Sequence, residues 1–445
     1  MLNKGQETAL QQMLWFVNSD DKFFLLEGSA GTGKTYTISA FIAEVSKNQR
    51  LWIALTAPTN KAVKVAAMAS SQWRNHNIDY MTTYQLLGLS MDINEEGDKV
   101  LVEGRQSCVS EYDLVFIDEA SMIAENLWEL LQKVTKRYPR IKIIFVGDHA
   151  QLNPVNETES KVFAEIANKA RLTEVMRTGS DNPVMSAICA CREKVYNHDH
   201  PLLTKSSFNA DRTHGFWSLP SNVWLGNMIK SFSSEKYQSN PDYTRAIAWT
   251  NRRVNELNGI IRTALYETNI PYVVGERLIA KDAICEPDGS IKISTNTEMI
   301  VTRAEFRDKL LSVSESESVA RFNPIAFDTW YLEVQTDTGD VHYLDVLNNS
   351  SLKAYQKATE ELAKTAMSVP RKDAKEEWAK YWNFKNQFAN VNYAYALTSH
   401  KSQGSTFNNV FVDQANICLN PNLVERYRSL YVSYSRTSER LFVKV

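Results

Sequence analysis

The stretch FLLEGSAGTGKT at residues 24–35 constrains the fold of this 445-residue chain more than any other part of it. An apolar run, typical of a buried strand, breaks at Gly28 into small residues and ends in Lys34 and Thr35. Because glycines let successive backbone N–H groups turn toward one point, the pattern G-x-x-x-x-G-K-T predicts a phosphate cradle at a helix N-terminus. The cradle needs a strand before it and a helix after it, so we predict an N-terminal α/β domain.

Further apolar runs alternate with helical patterns through the first 180 residues. The runs are KFFLLE, LWIALTAP, YDLVFIDEA and IKIIFVGD. A second set, at residues 243–251, 408–415 and 439–445, reads YTRAIAWTN, NNVFVDQA and ERLFVKV. Continuous apolar strands between helices are typical of a parallel sheet that is covered on both faces. We therefore predict two α/β lobes that face each other.

Two inserted segments interrupt the lobes. Residues 87–107 carry short alternating runs around the polar turn NEEGD, a pattern that predicts a β-hairpin protruding from the first lobe. Residues 270–392 contain IKIS, EMIVT, TWYLEVQT and DVHYLDV, short alternating strands that are typical of a small barrel. The polar run SVSESESVA at residues 312–320 is predicted to be a mobile loop. The second lobe is therefore split by a long insertion.

The end of this insertion predicts two helices that are broken at Pro370. Their larger apolar side chains recur at helical spacing. The residues predicted to lie on one helical face are Trp378, Tyr381, Trp382 and Phe388. The insertion is thus expected to combine a barrel with a helical pair.

Composition narrows the class of protein. With 43% hydrophobic residues, the chain has enough apolar surface for roughly two to four domains. The N-terminal sequence MLNKGQETALQQ lacks the apolar region of a signal peptide, and no apolar segment approaches the about 20 residues of a membrane span. Five cysteines without framework spacing favour a reduced, cytoplasmic protein. A net charge of −2, from 50 basic and 52 acidic residues, leaves the partner open.

Cys189, Cys191, His198 and His200 form C-x-C and H-x-H pairs. On the helix that NPVMSAICACREK predicts, positions two apart point in different directions. Neither pair has the spacing of a zinc finger, so we expect no metal site there.

The segment VFIDEAS supplies the acidic half of a nucleotide site. Asp118 follows the strand directly, a position from which a carboxylate holds Mg²⁺, and Glu119 is placed to polarise an attacking water. A kinase or a switch uses the aspartate but has less use for the adjacent glutamate, whereas a hydrolase needs both. The pair therefore predicts hydrolysis of a nucleoside triphosphate.

A third strand ends in FVGDHAQLNPV. Gln151 comes just past this strand, where its side chain can hydrogen-bond both a γ-phosphate and the attacking water. We therefore predict that Gln151 distinguishes bound ATP from ADP. An ordinary glutamine in a solvated loop is the alternative.

Seven ordered segments carry a family resemblance: GSAGTGKT, TAPTNKAV, DEAS, GDHAQLNPV, LTEVMR, ALTSHKSQGST and LYVSYSRTSER. In order and spacing they resemble the motifs of the superfamily 1 helicases, most closely those of the Dda- and RecD-like branch that moves 5′ to 3′. The resemblance implies one RecA-like lobe at 1–86 and 108–178, and a second at 179–269 and 393–445. It also implies a strand-separating pin at 87–107, and an SH3-like β-barrel with a helical tower and hook at 270–392.

The resemblance assigns roles in the nucleotide site. Arg177 and Arg436 are similar to arginine fingers, which neutralise transition-state charge when the lobes close on ATP. Gln6 is similar to an adenine-reading glutamine. The residues implied to bind ATP are Gln6, Gly28, Ser29, Ala30, Gly31, Thr32, Gly33, Lys34 and Thr35, and those implied to hold Mg²⁺ are Thr35 and Asp118.

The residues implied to contact DNA carry mostly hydroxyl, amide and basic groups, which are suited to phosphate and sugar contacts. They are Pro58, Thr59, Asn60, Thr82, Thr250, Asn251, Thr398, His400, Lys401 and Gln403. Hydrogen bonding between the lobes is an alternative role for residues of this group. Val102 stands where the family pin has a phenylalanine, a departure that bears on the strength of the wedge. The helical pair is similar to the elements that brace the pin, although its tryptophans can equally pack on the barrel.

We therefore expect a monomeric DNA helicase that uses ATP and Mg²⁺, moves 5′ to 3′ on single-stranded DNA and separates forked or 5′-tailed duplexes. A single-strand-binding or replication protein is the expected class of protein partner. The host cytoplasm is the expected compartment if the chain is encoded by a phage. Three alternatives stay open: a translocase of 3′-to-5′ polarity, a P-loop kinase or switch without unwinding, and a nucleic-acid-binding protein with a vestigial ATPase.

Overall fold

The computed structural model describes residues 2–48, 51–69, 77–94, 96–103, 107–154, 157–174, 183–286, 290–311 and 324–445. The chain divides into two compact units. The larger consists of Met1–Leu86, Cys108–Thr268 and Tyr395–Val445, and the smaller of Leu87–Ser107 and Asn269–Ala394. The predicted mobile loop at 312–320 lies outside the described residues.

The first sheet of the larger unit is formed by the N-terminal part of the chain. The elements of this lobe before the hairpin are α1 (Lys4–Val17), β1 (Phe23–Gly28), α2 (Lys34–Asn48), β2 (Ile53–Ala57), α3 (Asn60–Ala69), β3 (Ile78–Thr82) and α4 (Thr83–Leu86). The hairpin strands are β4 (Leu89–Ile93) and β5 (Lys99–Glu103). The lobe continues with β6 (Leu114–Ile117), α5 (Glu125–Arg137), β7 (Lys142–Gly147), α6 (Lys161–Glu165) and β8 (Lys169–Leu172). All neighbours in the order β3-β2-β6-β7-β1-β8 pair in parallel. The carboxyl ends of β1, β6 and β7 therefore lie side by side at one edge.

The second sheet begins with α7 (Pro183–Tyr196), β9 (Ser207–Phe208), β10 (Gly215–Leu219), α8 (Ser221–Phe232), α9 (Glu235–Ser239), β11 (Thr244–Ala248) and α10 (Asn251–Leu265). The smaller unit then contributes β12 (Arg277–Ala280), β13 (Ile284–Cys285), β14 (Ile291–Ile293), β15 (Glu298–Leu311), β16 (Ile325–Thr336), β17 (Val341–Leu347), α11 (Leu352–Ser368), α12 (Arg371–Lys385) and β18 (Val391–Tyr393). The chain returns to the larger unit with β19 (Ala396–Thr398), β20 (Phe407–Asp413), α13 (Gln414–Ile417), α14 (Leu423–Ser435) and β21 (Thr437–Lys444).

The second sheet has the order β19-β11-β20-β21-β10-β9, parallel except for the pair of β9 with β10. The prediction of two α/β lobes is confirmed. Strands β6, β7 and β11 are buried along their whole length, because helices cover both faces of a parallel sheet. This burial explains why the same segments read as unbroken apolar runs in the sequence.

The smaller unit contains an antiparallel five-stranded sheet of order β17-β16-β15-β12-β18. Strands β4 and β5 form the predicted hairpin, with Ser90 opposite Val102. The SH3-like closure of the larger sheet stays a prediction. Within the described residues, no helix is both long and apolar enough to span a membrane.

The helical pair α11–α12 breaks at Pro370, as predicted. The prediction that Phe388 shares a helical face with Trp378 is wrong, because α12 ends at Lys385. Phe388 instead packs with Phe327, while Trp378 belongs to a separate cluster with Ala366 and Ala374. The helical spacing of apolar residues in the sequence thus continues past the end of α12 at Lys385.

Candidate active site between the two parallel sheets

The glycine-rich loop joins β1 to α2, the context that its motif requires. Gly31 and Gly33 have φ angles of +83° and +80°, a left-handed region that favours glycine. A Cβ on Gly33 would lie 2.5 Å from Nε2 of Gln6, and a Cβ on Gly28 would lie 2.6 Å from Oγ1 of Thr32. The cradle therefore needs its glycines for both conformation and space.

Lys34 and Thr35 open α2 at the end of this loop. The Nζ of Lys34 donates to the carbonyl oxygens of Gly28 and Ser29, at 2.8 and 3.2 Å. These bonds hold the ammonium group over the loop, where the charge of a phosphate chain would be bound. The side chain of Thr35 is exposed. Its hydroxyl is therefore accessible to a metal ion.

Gln6 lies against the cradle rather than in solvent. Its Nε2 donates to the carbonyl oxygen of Thr32 at 3.1 Å, and its Oε1 accepts from the backbone N–H of Asn3 at 3.1 Å. The side chain of Asn3 in turn accepts from the backbone N–H of Gln6 at 2.8 Å, which completes a capping box at the start of α1. Gln6 thus ties α1 to the phosphate loop, and its contact with adenine stays a prediction.

Asp118 and Glu119 follow β6 at the carboxyl edge of the first sheet. The Oδ1 of Asp118 accepts from the backbone N–H of Glu119 at 2.8 Å. Glu119 has a φ of +53°, a conformation that costs about 1 kcal/mol for a residue other than glycine. Burial and the Asp118 charge raise the pKa of Glu119, while the charges of Arg436 and Lys34 act to lower it. Burial also raises the pKa of Asp118. The two carboxyl groups therefore share one charged pocket.

Gln151 follows β7 at the same edge. Its side chain is buried, and its Oε1 has no hydrogen-bond partner among the described residues. The backbone carbonyl of Gln151 accepts from Nη1 of Arg428 at 2.6 Å. A buried acceptor without a donor fits a site whose donor arrives with the ligand. Gln151 is therefore placed as the sequence predicted, although its sensing role stays a prediction.

Arg436 comes from the second sheet, at the end of α14. It is only 6% exposed, and its guanidinium donates to the carbonyl oxygens of Val432 at 3.1 Å and Ser405 at 3.3 Å. Because its charge acts on the pKa of Glu119, the guanidinium lies within electrostatic range of the candidate catalytic carboxylate. Arg177 lies outside the described residues, so its role as a second finger stays a prediction.

The predicted Mg²⁺ ligands, Thr35 and Asp118, offer a hydroxyl and a carboxylate. Both are hard oxygen donors of the kind that Mg²⁺ prefers, and this ion usually takes one or two protein ligands together with phosphates and water. The described parts of the chain contain no group of three or more His, Cys, Asp or Glu side chains that could hold a metal ion by themselves. The donor set therefore fits a magnesium ion that binds together with phosphates.

The predicted DNA contacts of the first sheet lie at its carboxyl edge. Pro58 is buried, and Thr59 and Asn60 are half-buried where α3 begins. Thr82 is buried at the end of β3, and its Oγ1 donates to Oε1 of Gln85 at 3.1 Å. Thr59 and Asn60 are therefore the more accessible pair.

In the second sheet, Thr250 caps α10 and Asn251 begins it. The Oγ1 of Thr250 accepts from the backbone N–H of Arg253 at 3.2 Å. Asn251 is exposed, so its amide group is accessible to a ligand. This helix N-terminus presents polar groups and a favourable dipole for a phosphate.

The segment SHKSQG forms a tight turn after β19. Thr398 is buried and accepts from the backbone N–H of Lys401 at 3.3 Å. Burial lowers the pKa of His400, so the imidazole is neutral at neutral pH. Gln403 is also buried, and its Nε2 donates to the carbonyl oxygen of Leu152 in the first lobe at 3.2 Å. This bond supports the alternative role for Gln403, hydrogen bonding between the lobes.

The two candidate DNA segments, TAPTNKA and SHKSQG, adjoin each other. A Cβ on Gly404 would lie 3.0 Å from Cβ of Ala62 and 3.6 Å from Oγ1 of Thr59. Next to them, Nζ of Lys61 lies 3.1 Å from a carboxylate oxygen of Asp242 in the second lobe. Polar segments from both sheets therefore meet in one region.

Four residues of the site were missed by sequence reasoning. Asp148 is fully buried and accepts hydrogen bonds from the hydroxyl of Tyr431 and from the backbone N–H of Ala150, the latter at 3.1 Å. Arg192, on α7, places Nη2 3.7 Å from the Asp148 carboxylate. Arg428 contacts the loop that carries Gln151. Tyr431 lies within the motif LYVSYSR, and Arg428 lies two positions before it. No other feature of the sequence indicated that these four residues belong to the site.

In the smaller unit, the hairpin turn packs on α12. The indole Nε1 of Trp382 donates to the carbonyl oxygen of Gly97 at 2.8 Å, and a Cβ on Gly97 would lie 2.4 Å from the ring of Trp378. Lys375 and Asp92 form an ion pair at 2.9 Å. The tryptophans therefore support the hairpin, and half-buried Val102 lies on the strand behind its turn.

Comparisons with known proteins cover nearly the whole chain. Residues 1–200 match a family model described as an AAA domain, and residues 393–443 match the UvrD-like helicase C-terminal domain. Protein R530 of Acanthamoeba polyphaga mimivirus is 29% identical over 99% of both chains. The ATP-dependent DNA helicase dda of Enterobacteria phage T4 is 27% identical over 92% of both. A Pif1 helicase structure from Candida albicans aligns with a TM-score of 0.46 and 16% identity, over 100% of this chain and 94% of that one.

Proposed function

Because this chain belongs to the superfamily 1 helicases of the Dda, RecD and Pif1 type, we propose that it is an ATP-dependent DNA helicase that moves 5′ to 3′ on single-stranded DNA. One observation carries the proposal. The phosphate loop belongs to one sheet, whereas Tyr431, on the helix of the other sheet that ends at Arg436, accepts from the backbone N–H of Ala30 in that loop at 3.3 Å. A nucleotide bound there would be enclosed by both lobes, so hydrolysis and lobe motion would be coupled.

The chemistry assigned to the site is hydrolysis of the γ-phosphate. Glu119 would polarise the attacking water, with Gln151 orienting it through the unpartnered Oε1. Lys34 and Arg436 supply positive charge where the transition state gains negative charge. Thr35 and Asp118 would hold Mg²⁺, which neutralises phosphate charge when bound. Arg177 is proposed as a second finger.

Coupling to DNA is assigned to the region where TAPTNKA meets SHKSQG. Thr59, Asn60 and Lys401 offer polar groups to a strand, and Gln403 bonds to Leu152 in the loop that also carries Gln151. A strand gripped by the SHKSQG turn would therefore act on the nucleotide site through this loop. The contacts suit a phosphate backbone, so movement would not depend on base sequence.

Strand separation is assigned to the hairpin of β4 and β5. Trp378 and Trp382 fix its turn, so a wedge would be supported while a duplex is forced apart. Val102 offers a smaller stacking surface than an aromatic ring, so this wedge would rely on rigidity more than on stacking. The expected substrates are forked or 5′-tailed duplexes.

The setting of the activity is also proposed. All five cysteines are free thiols, which fits a reducing compartment such as the cytoplasm of a host cell. The nucleotide site and the candidate DNA segments come from a single chain, so a monomer would suffice. A single-strand-binding or replication protein is the expected partner class.

ATP hydrolysis with and without single-stranded DNA tests the proposal. We expect DNA to accelerate hydrolysis, and Lys34→Ala to lower kcat at least about a hundredfold. The matched control is Lys47→Ala on the same helix, because Lys47 is exposed and pairs only with Glu44 among its described contacts. Hydrolysis that single-stranded DNA leaves unchanged would favour a kinase or switch instead.

A further inference from the structure

Tyr431 links the two lobes at the phosphate loop. Its hydroxyl donates to the carboxylate of Asp148, which follows β7 in the first lobe, and accepts from the backbone N–H of Ala30 at 3.3 Å. Tyr431 itself belongs to α14 of the second lobe and is fully buried. One hydroxyl group therefore connects the phosphate loop, the loop that carries Gln151 and the helix that ends at Arg436.

Electrostatics keep the Tyr431 hydroxyl protonated, the state in which it can donate to Asp148. Burial and the adjacent Asp148 charge raise the pKa of Tyr431 well above that of an ordinary tyrosine. The phenol is therefore protonated at neutral pH and donates to the carboxylate. A phenolate at this position would repel Asp148.

Helix α14 has a second attachment to the same loop. Nη1 of Arg428 donates to the backbone carbonyl of Gln151 at 2.6 Å and to Oδ1 of Asn153 at 2.7 Å. Arg428 and Tyr431 lie three positions apart, so they occupy one face of the helix. Arg436 lies five positions beyond Tyr431. Two attachments on a rigid helix fix where the guanidinium of Arg436 can lie.

We propose that Tyr431 is a positioning residue for ATP hydrolysis: through Asp148 and Ala30 its hydroxyl sets the placement of Arg436 relative to Glu119. This inference rests on the proposed function. The amide of Ala30 belongs to the cradle itself, so a phosphate chain entering the loop acts on the same hydrogen bond. Tyr431 thereby couples occupation of the cradle to the arginine on its own helix.

The variant Tyr431→Phe tests the inference, because it removes the hydroxyl and keeps the buried ring. We expect kcat for DNA-stimulated ATP hydrolysis to fall at least about tenfold, with the KM for ATP changed less than about threefold, since misplacing a group mainly affects the chemical step. A merely structural loss would lower thermal stability without this split between kcat and KM.

The matched control is Tyr434→Phe. Tyr434 lies on the same helix, is also buried and donates its hydroxyl to Oε1 of Gln414 at 2.5 Å, a bond within the second lobe. Both variants lose one buried hydroxyl group, with two hydrogen bonds for Tyr431 and one for Tyr434, so we expect both to lower the melting temperature, whereas kcat should fall for Tyr431→Phe alone. Equal kcat in the two variants, with an active wild type, overturns the inference and leaves the proposed function intact.

Substitution of the acceptor gives an independent test if Tyr431→Phe folds poorly. Asp148→Leu removes the acceptor and should reproduce the loss of kcat, while Asp148→Asn keeps an oxygen for the hydroxyl and should lose less. Identical kcat values for these two variants count against the inference. A wild-type chain that hydrolyses no ATP with single-stranded DNA overturns the proposed function and this inference together.

Discussion

Glu119 shows at the residue scale how the fold prepares the proposed catalytic base. Its left-handed backbone, with φ of +53°, turns the side chain at the end of a buried strand, where burial and Asp118 raise its pKa. The opposing charges of Lys34 and Arg436 favour the ionised form. These two charges therefore partly offset the effect of burial and of Asp118 on the pKa of Glu119.

The pH dependence of kcat/KM for ATP follows from these charges. Glu119 acts as a base only when ionised, and its raised pKa means that activity falls, as pH decreases, at a higher pH than for an ordinary glutamate. The charge of Asp148 contributes to that rise, so Asp148→Asn should move the acidic limb of the profile to lower pH.

The control for this profile is Asp113→Asn. Asp113 precedes β6, at the opposite end of the strand from Glu119, and accepts from the backbone N–H of Trp52 at 3.0 Å. Its substitution should leave the acidic limb where it is. An unshifted limb in Asp148→Asn, or an equal shift in both variants, would refute the assignment of the base.

Sequence reasoning was effective at this scale where chemistry and strand position coincide. Asp118 and Glu119 follow an apolar run directly, Lys34 and Gln151 follow one after a short loop, and the structure places all four at one edge of a sheet. Tyr431 and Asp148 were missed because an interaction between residues 283 positions apart leaves no local pattern. Buried Thr82 and Gln403 likewise read as polar surface groups when only residue type is considered.

At the scale of elements, the hairpin of β4 and β5 is notable because its turn packs against α12. Gly97 has a φ of +87° and meets the ring of Trp378, while Trp382 and Lys375 add bonds from α12. The hairpin was predicted from its turn residues, whereas its contact with α12, 285 positions further along the chain, leaves no local pattern and was implied only by the family resemblance.

The variant Gly97→Ala tests this support. The added methyl group would lie 2.4 Å from the Trp378 ring, so the turn must shift away from α12. We expect the unwinding rate to fall about tenfold, while ATP hydrolysis stimulated by single-stranded DNA is retained, because the nucleotide site belongs to the other unit.

Gly339→Ala is the matched control for this variant. Gly339 lies in the turn between β16 and β17 with a φ of +92°, but a Cβ there would meet nothing within 4 Å. Both variants carry the same backbone strain, of about 1 kcal/mol, so only Gly97→Ala should impair unwinding. Equal unwinding by the two would show that the contact with Trp378 is unimportant.

At the scale of the whole molecule, the proposed function depends on two sheets acting on one nucleotide. The sequence predicted both lobes because buried parallel strands are continuous apolar runs, a pattern that can be recognised in a single sequence. It predicted the five-stranded sheet less completely, since short alternating strands fix pairing only locally and say little about closure. The bonds of α14 to the first lobe are what turn two lobes into one site.

Directional unwinding tests the central claim most directly. Duplexes with a single 5′ tail, a single 3′ tail or no tail are incubated with ATP and Mg²⁺, and strand displacement is measured for the wild type and for Lys34→Ala. We predict displacement of the 5′-tailed duplex only, and none by Lys34→Ala. Displacement of only the 3′-tailed duplex would contradict the polarity, and ATP hydrolysis without displacement of any duplex would contradict the helicase function itself.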